Sequence, residues 1–272
     1  MIVPAIVACS LEASAVPPEA VLSCGYPQQR PLKRMHTSIQ IFLMDSGSAP
    51  PEHELLPRLH PEEQSRYRAF TAEARRRSWL GGRALALTAL AHVSGEPVDA
   101  ATLRTAESGG VRYADGALHL SLSHCREQIG IALSAAPVGL DIEWPRPRAS
   151  VELAARVFTA KEAAWLDTLS APERQDAFYT LWTLKEAACK AVGLSLWEGL
   201  RYARFDPVVG KCTLKQPFPP GEWAFIHARL EPGWRLALAI RSAPPEIECW
   251  RLTAPQQWRR EPLVHPCCIY AR

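Results

Sequence analysis

From Thr37 onward, runs with a two-residue apolar period alternate with runs at helical spacing. SIQIFLMD (38–45) reads as a strand, and the stretch from about Pro61 to Val93, rich in Arg, Ala and Leu, reads as mainly helical. Gly81 and Gly82 lie inside it, and each costs a helix about 1 kcal/mol relative to Ala. Their presence predicts close packing or close approach of a ligand. ALHLSLSH (117–124), IGIALS (129–134) and VGLDIEW (138–144) alternate as strands and imply a hairpin. Helical text returns at 159–169 and 173–193, followed by strands near 223–230, 234–241 and 246–253. The order strand, helix, strands thus occurs twice. It predicts an α+β fold of two similarly built halves, 37–137 and 138–253, with 254–272 as a C-terminal tail. Residues 1–36 hold five prolines and no clear period, and read as a disordered leader with Met35 as an alternative start.

In VGLDIEW, side-chain alternation puts Val138, Leu140 and Ile142 on one face and Asp141 with Glu143 on the other. Two carboxylates pointing one way repel unless a cation compensates, and magnesium, which takes carboxylate, water and phosphate oxygens, suits them. A solvated outer face is the simpler alternative. In FYTLWTLKEAACKAVG (178–193), Phe178, Leu181, Leu184, Ala188 and Val192 make a core stripe, while Glu186 and Lys190 share a face roughly opposite it. This pair could be a surface salt bridge worth about 0.2–0.5 kcal/mol. On spacing alone that is the simpler reading; the pair also suits a metal-bound pyrophosphate, Glu186 completing the cation site and Lys190 neutralising a phosphate. Ser123 and His124 fall at a strand's exit, where loops carry function. No GxSxG elbow supports a serine hydrolase. Thr159 and Glu162 have capping-box spacing.

Composition narrows the choice. Hydrophobic residues at 47% and charged residues at 22% describe a soluble globular protein. A net charge of +3 argues against a dedicated nucleic-acid binder and suits an acidic ligand or partner. No apolar run reaches the length of a membrane span. The eight cysteines show no CxxC pair or metal spacing and read as free thiols of a cytoplasmic protein. The start MIVPAIVAC has an apolar run before Cys9 but no preceding positive charge, and Pro4 interrupts it, so a secretory signal is not expected.

Taken in order, RYRAF (66–70), RRRSWLGGRAL (75–85), SLSH (121–124), VGLDIE (138–143), FTAKE (158–162) and WTLKEAACK (182–190) resemble the Sfp-type 4'-phosphopantetheinyl transferase family. The resemblance implies the family fold, a pseudo-dimer of two α/β halves with the active site at their interface. It implies magnesium-dependent transfer of phosphopantetheine from coenzyme A to a serine of an apo acyl or peptidyl carrier protein, by a monomer. Asp141, Glu143 and Glu186 are the implied magnesium ligands, Lys190 the pyrophosphate contact, and Ser123 with His124 the coenzyme A phosphate contacts. Lys185 and Arg77 are further implied cofactor contacts, and Glu162 is implied as the base that takes the serine proton. The GKP-like turn that often precedes SLSH in the family is replaced by GGVRY. Two alternatives are a non-catalytic homologue that binds a carrier or coenzyme A, and a magnesium-dependent phosphohydrolase.

Overall fold

The computed structural model describes residues 38–271 except 107, 108, 115, 117, 147–155, 201, 207–209 and 243–245. The expected leader lies outside the described residues. The fold is mixed α+β, with two large sheets and two long helices.

The first sheet has the order β12-β11-β1-β5-β4, built from β1 (Ser38–Asp45), β4 (His119–Cys125), β5 (Gln128–Ser134), β11 (Glu246–Ala254) and β12 (Gln257–Arg260). The second has the order β6-β10-β9-β13-β8-β7, from β6 (Val138–Glu143), β7 (Ala203–Asp206), β8 (Lys211–Leu214), β9 (Trp223–Leu230), β10 (Trp234–Ile240) and β13 (Val264–Ala271). A small ribbon joins β2 (Leu103–Thr105) to β3 (Val111–Tyr113). The helices are α1 (Glu52–Leu55), α2 (Pro61–Arg68), α3 (Glu73–Ser94), α4 (Ala160–Asp167), α5 (Ala171–Ala191) and α6 (Leu196–Gly199).

The core is layered. Helix α3 packs Leu85, Ala89 and Leu90 against Phe42, Ile131 and Leu133 on one face of the first sheet. The opposite face, with Ile39, Ile41 and Leu43, meets Leu140, Ile142, Ile226 and Leu238 of the second sheet. Helix α5 covers the far side of that sheet through Phe178, Leu181, Leu184 and Ala188. Strand β1 is therefore buried on both faces, which explains its near-continuous apolar text. A β-carbon on Gly81 would stand 2.5 Å from Ile129 Cδ1, and one on Gly82 2.7 Å from Leu122 Cδ2. Helix and sheet meet there closely, as the two glycines predict.

The hairpin is β4–β5, turning at Arg126 in a left-handed conformation, φ 52°, and not β5–β6 across Ala135–Pro137, as the short gap between the last two runs suggests. Strand β6 leaves for the other sheet. The chain also crosses between the expected halves near its end: β11 pairs in parallel with β1 of the first sheet, while β13 lies along β9 in the second. Residues 254–272 are therefore not a loose tail, because they supply β12 and β13. Trp250 and Trp258 pack around His92 of α3, and Trp258 meets Phe42 edge-on at 4.9 Å. The six described cysteines are free thiols.

Candidate active site

The site lies where the exposed edges of the two sheets meet and helix α5 comes down on β6. Gly139 makes the descent possible. A β-carbon there would lie 1.8 Å from the Ala187 carbonyl oxygen, so helix and strand backbones touch and only glycine fits. On the far face of β6, Gly130 leaves room for Ile142, whose Cδ1 would be 2.3 Å from a β-carbon. Pinned on both sides, β6 turns Asp141 and Glu143 toward α5. Glu186 and Lys190 flank the Ala187 contact and meet them.

Asp141 is only 3% exposed. Its Oδ1 accepts from Lys190 Nζ at 2.7 Å and from Ser123 Oγ at 2.9 Å, and its Oδ2 is buried with no hydrogen-bond partner. Burial, then repulsion from Asp141, raises Glu186 to about 7 and raises Glu143 as well. Trp182 and the Cys125 thiol hydrogen-bond Glu143 and partly offset that rise. For Lys190, burial acts to lower the ammonium, but Asp141 and Glu186 outweigh it and hold the pKa above its ordinary value. The Asp141–Glu143 face is thus not solvated, and the Glu186–Lys190 pair is not confined to an outer helix surface.

Ser123 is saturated within this cluster. Its hydroxyl donates to Asp141 and accepts from the Ile142 amide at 3.1 Å and from Lys190 at 3.1 Å, the full capacity of a hydroxyl. His124, next along β4, is exposed. Partial desolvation, then the charge of Lys190, lower its pKa, with Asp141 acting the other way and Arg75 adding to the fall.

Three expected residues stand elsewhere. Glu162 is 1% exposed and both of its oxygens are occupied. Oε2 accepts from the Thr159 amide at 2.7 Å in the capping box of α4, and Oε1 accepts from the Phe205 amide at 2.9 Å and pairs with Lys185 Nζ at 3.0 Å. A base must reach its substrate's proton. This carboxylate faces the interior, and the base role does not fit its geometry. Lys185 is likewise wholly buried, donating to the Leu200 and Ala203 carbonyls as well as pairing with Glu162, so it holds α4, α5 and β7 together and does not face a ligand.

Arg77 forms an exposed i,i+4 pair with Glu73 at 2.6 Å. Among the three consecutive arginines it is Arg75, over the Phe70 ring at 4.7 Å, whose charge bears on His124. Successive helix positions are rotated by about 100°, so choosing the wrong one of three turns the side chain away from the site. Ser121 and Cys125 lie on the same face of β4 as Ser123, in alternation with Leu120 and Leu122, and also meet β6.

Among the described residues no three His, Cys, Asp or Glu side chains are already gathered to hold a metal ion. The donor set nevertheless fits a hard cation: three carboxylates, one with a buried unpaired oxygen and two with raised pKa values for which an added positive charge would compensate.

Residues 137–239, which contain β6, α5 and all of their acidic residues, match the family model of the 4'-phosphopantetheinyl transferase superfamily. The resemblance read from the ordered motifs is to that same family. Among individual relatives, the chain is 36% identical over 127 residues to the 4'-phosphopantetheinyl transferase psf-1 of Bacillus pumilus, covering 45% of this chain and 53% of that protein. It is 36% identical over 127 residues to AcpT of Escherichia coli K12, 46% of this chain and 62% of the relative. To HetI of Nostoc it is 30% identical over 146 residues, 52% of this chain and 62% of the relative. The matched region therefore spans about half to three-fifths of these relatives. Among the described residues no helix is long and apolar enough to cross a membrane.

Proposed function

We propose that the chain is a 4'-phosphopantetheinyl transferase that moves the phosphopantetheine arm of coenzyme A onto a serine of an apo acyl or peptidyl carrier protein. The observation that carries this reading is the convergence of Asp141, Glu143, Glu186 and Lys190 beneath α5, within the region that matches the superfamily. In the reaction the carrier serine oxygen bonds to the β-phosphorus, the bond from that phosphorus to the bridging oxygen breaks, and 3',5'-ADP leaves. The serine proton passes to water or to a phosphate oxygen. Because Glu162 is enclosed, the account assigns no side chain of α4 to that proton.

Asp141, Glu143 and Glu186 would hold magnesium, which would supply charge neutralisation at the pyrophosphate. Lys190 is half-buried at the mouth of the cluster and would turn to a phosphate oxygen. His124 and Arg75 would bind the remaining phosphates, giving the donors a fixed placement before reaction. The two sheets, each backed by one long helix, would be the halves of the pseudo-dimer, with the site on their shared seam. The enzyme would act as a cytoplasmic monomer.

Incubation of an apo carrier with coenzyme A, magnesium and the protein tests the reading by peptide mass spectrometry. A phosphopantetheine mass on the carrier serine supports it. An unmodified carrier, with phosphate released from simple esters, supports the phosphohydrolase instead.

A further inference from the structure

Strand β6 is the edge of its sheet. One side pairs with β10, so the amides of Leu140 and Ile142 point outward from the ladder. Outward amides of an edge strand need acceptors when they are buried. They find them on side chains of β4, the edge of the other sheet. The Ser121 hydroxyl accepts from the Leu140 amide at 2.8 Å, and the Ser123 hydroxyl from the Ile142 amide at 3.1 Å. The Cys125 thiol, next on the same face of β4, donates to the Glu143 carboxylate at 3.4 Å.

The two rungs share one register: residues 121 and 123 face 140 and 142. Each acceptor is a small side chain on the face of β4 turned away from Leu120 and Leu122, which pack under α3. Ser123 and Cys125 also donate to Asp141 and Glu143, so this face of β4 touches the carboxylates it places.

The geometry points to Ser121 and Ser123 as a side-chain ladder that sets the register of β6 across the seam and so aims Asp141 and Glu143; Ser121 in particular is a positioning residue for the metal site. The inference rests on the proposed function for what the carboxylates hold, and on the hydrogen bonds alone for how they are held. A one-residue slip of β6 would turn both carboxylates into the apolar layer between the sheets. The two hydroxyls do here what backbone carbonyls do inside a sheet. They tie the two sheets at the one place where both contribute to the site.

Two measurements on the full chain test this. First, Mn2+ binding is followed by electron paramagnetic resonance at 25 °C. Ser121→Ala is expected to weaken binding about tenfold, in the range for loss of a group that orients metal ligands, and Ser121→Thr to restore it. Ser134→Ala removes another buried hydroxyl, one that accepts from the Ala136 amide, and should leave Mn2+ binding unchanged. Should Ser121→Ala not fold, the exchange measurement on the unmodified protein decides. Wild-type affinity in folded Ser121→Ala overturns the inference.

Second, amide hydrogen exchange of the unmodified protein should show Leu140 and Ile142 as slow as the ladder-bonded amides of β10. Exchange at the rate of an open peptide overturns the ladder whatever the metal result. Wild-type protein that binds no Mn2+ would contradict the proposed metal site, and the ladder is then decided by the exchange measurement.

Discussion

Gly139 of β6 lies so close beneath Ala187 of α5 that a β-carbon would sit 1.8 Å from the Ala187 carbonyl oxygen and 2.6 Å from the Ala191 amide nitrogen. Both obstacles are backbone, which cannot rotate aside. Gly139→Ala must therefore lift α5 from β6, separating Glu186 and Lys190 from Asp141. We expect a loss of more than about 4 kcal/mol of stability, the range reserved for severe core disruption, measured by urea unfolding. A loss below about 1 kcal/mol, within the ordinary range for a point mutation, would show that the contact is looser.

The Glu162–Lys185 pair is the second test. With Lys185 wholly buried, Glu162→Gln leaves an ammonium without its countercharge, and breaking such a pair costs about 3–5 kcal/mol. The variant should lose stability while folded molecules keep their turnover, and Lys185→Met in the same chain should recover much of the stability. A Glu162→Gln protein that melts like wild type but has lost turnover would restore the base role.

Much of this arrangement was legible beforehand. The alternation in VGLDIEW placed Asp141 and Glu143 on one face, and helical spacing placed Glu186 beside Lys190, because both periods follow from local backbone geometry. What sequence could not say is which surface each face meets. Glu162 and Lys185 are as polar as Glu186 and Lys190, and only packing reveals that the first pair is enclosed and the second opens on the site. Strands β12 and β13 were missed because QWRR and VHPCCIYA lack an alternating pattern; β12 is only four residues long, and β13 pairs with β9, some way back in the chain.

Glu186 yields a pH prediction. Its folded pKa of about 7, raised first by burial and then by Asp141, exceeds the ordinary 4.5. A carboxyl of this kind supports the folded state fully below the unfolded pKa and loses that contribution as pH rises through the folded one. Glu186→Gln should therefore melt higher than wild type at pH 8 in the absence of metal, and the two should converge near pH 4.5. Equal melting temperatures at both pH values would contradict the crowding of charge at the site.

Lys190 is shared between Asp141 and, in the proposed reaction, a phosphate. Lys190→Met should weaken coenzyme A binding roughly tenfold or more, as expected for a charge-assisted hydrogen bond worth about 1.5–3 kcal/mol. By removing a positive charge from Asp141 it should also tighten Mn2+ binding. Isothermal titration reads both, and an exposed salt bridge with no part in the site would move neither.

The most direct test compares wild type with Asp141→Ala by intact mass of an apo carrier after incubation with coenzyme A and magnesium. Asp141 supplies the one buried, unpaired carboxylate oxygen of the cluster, so its loss should abolish transfer while circular dichroism and melting show a folded protein. The account predicts a carrier heavier by one phosphopantetheine with wild type and an unchanged carrier with the variant. Equal modification by both proteins, or none by wild type, would contradict it.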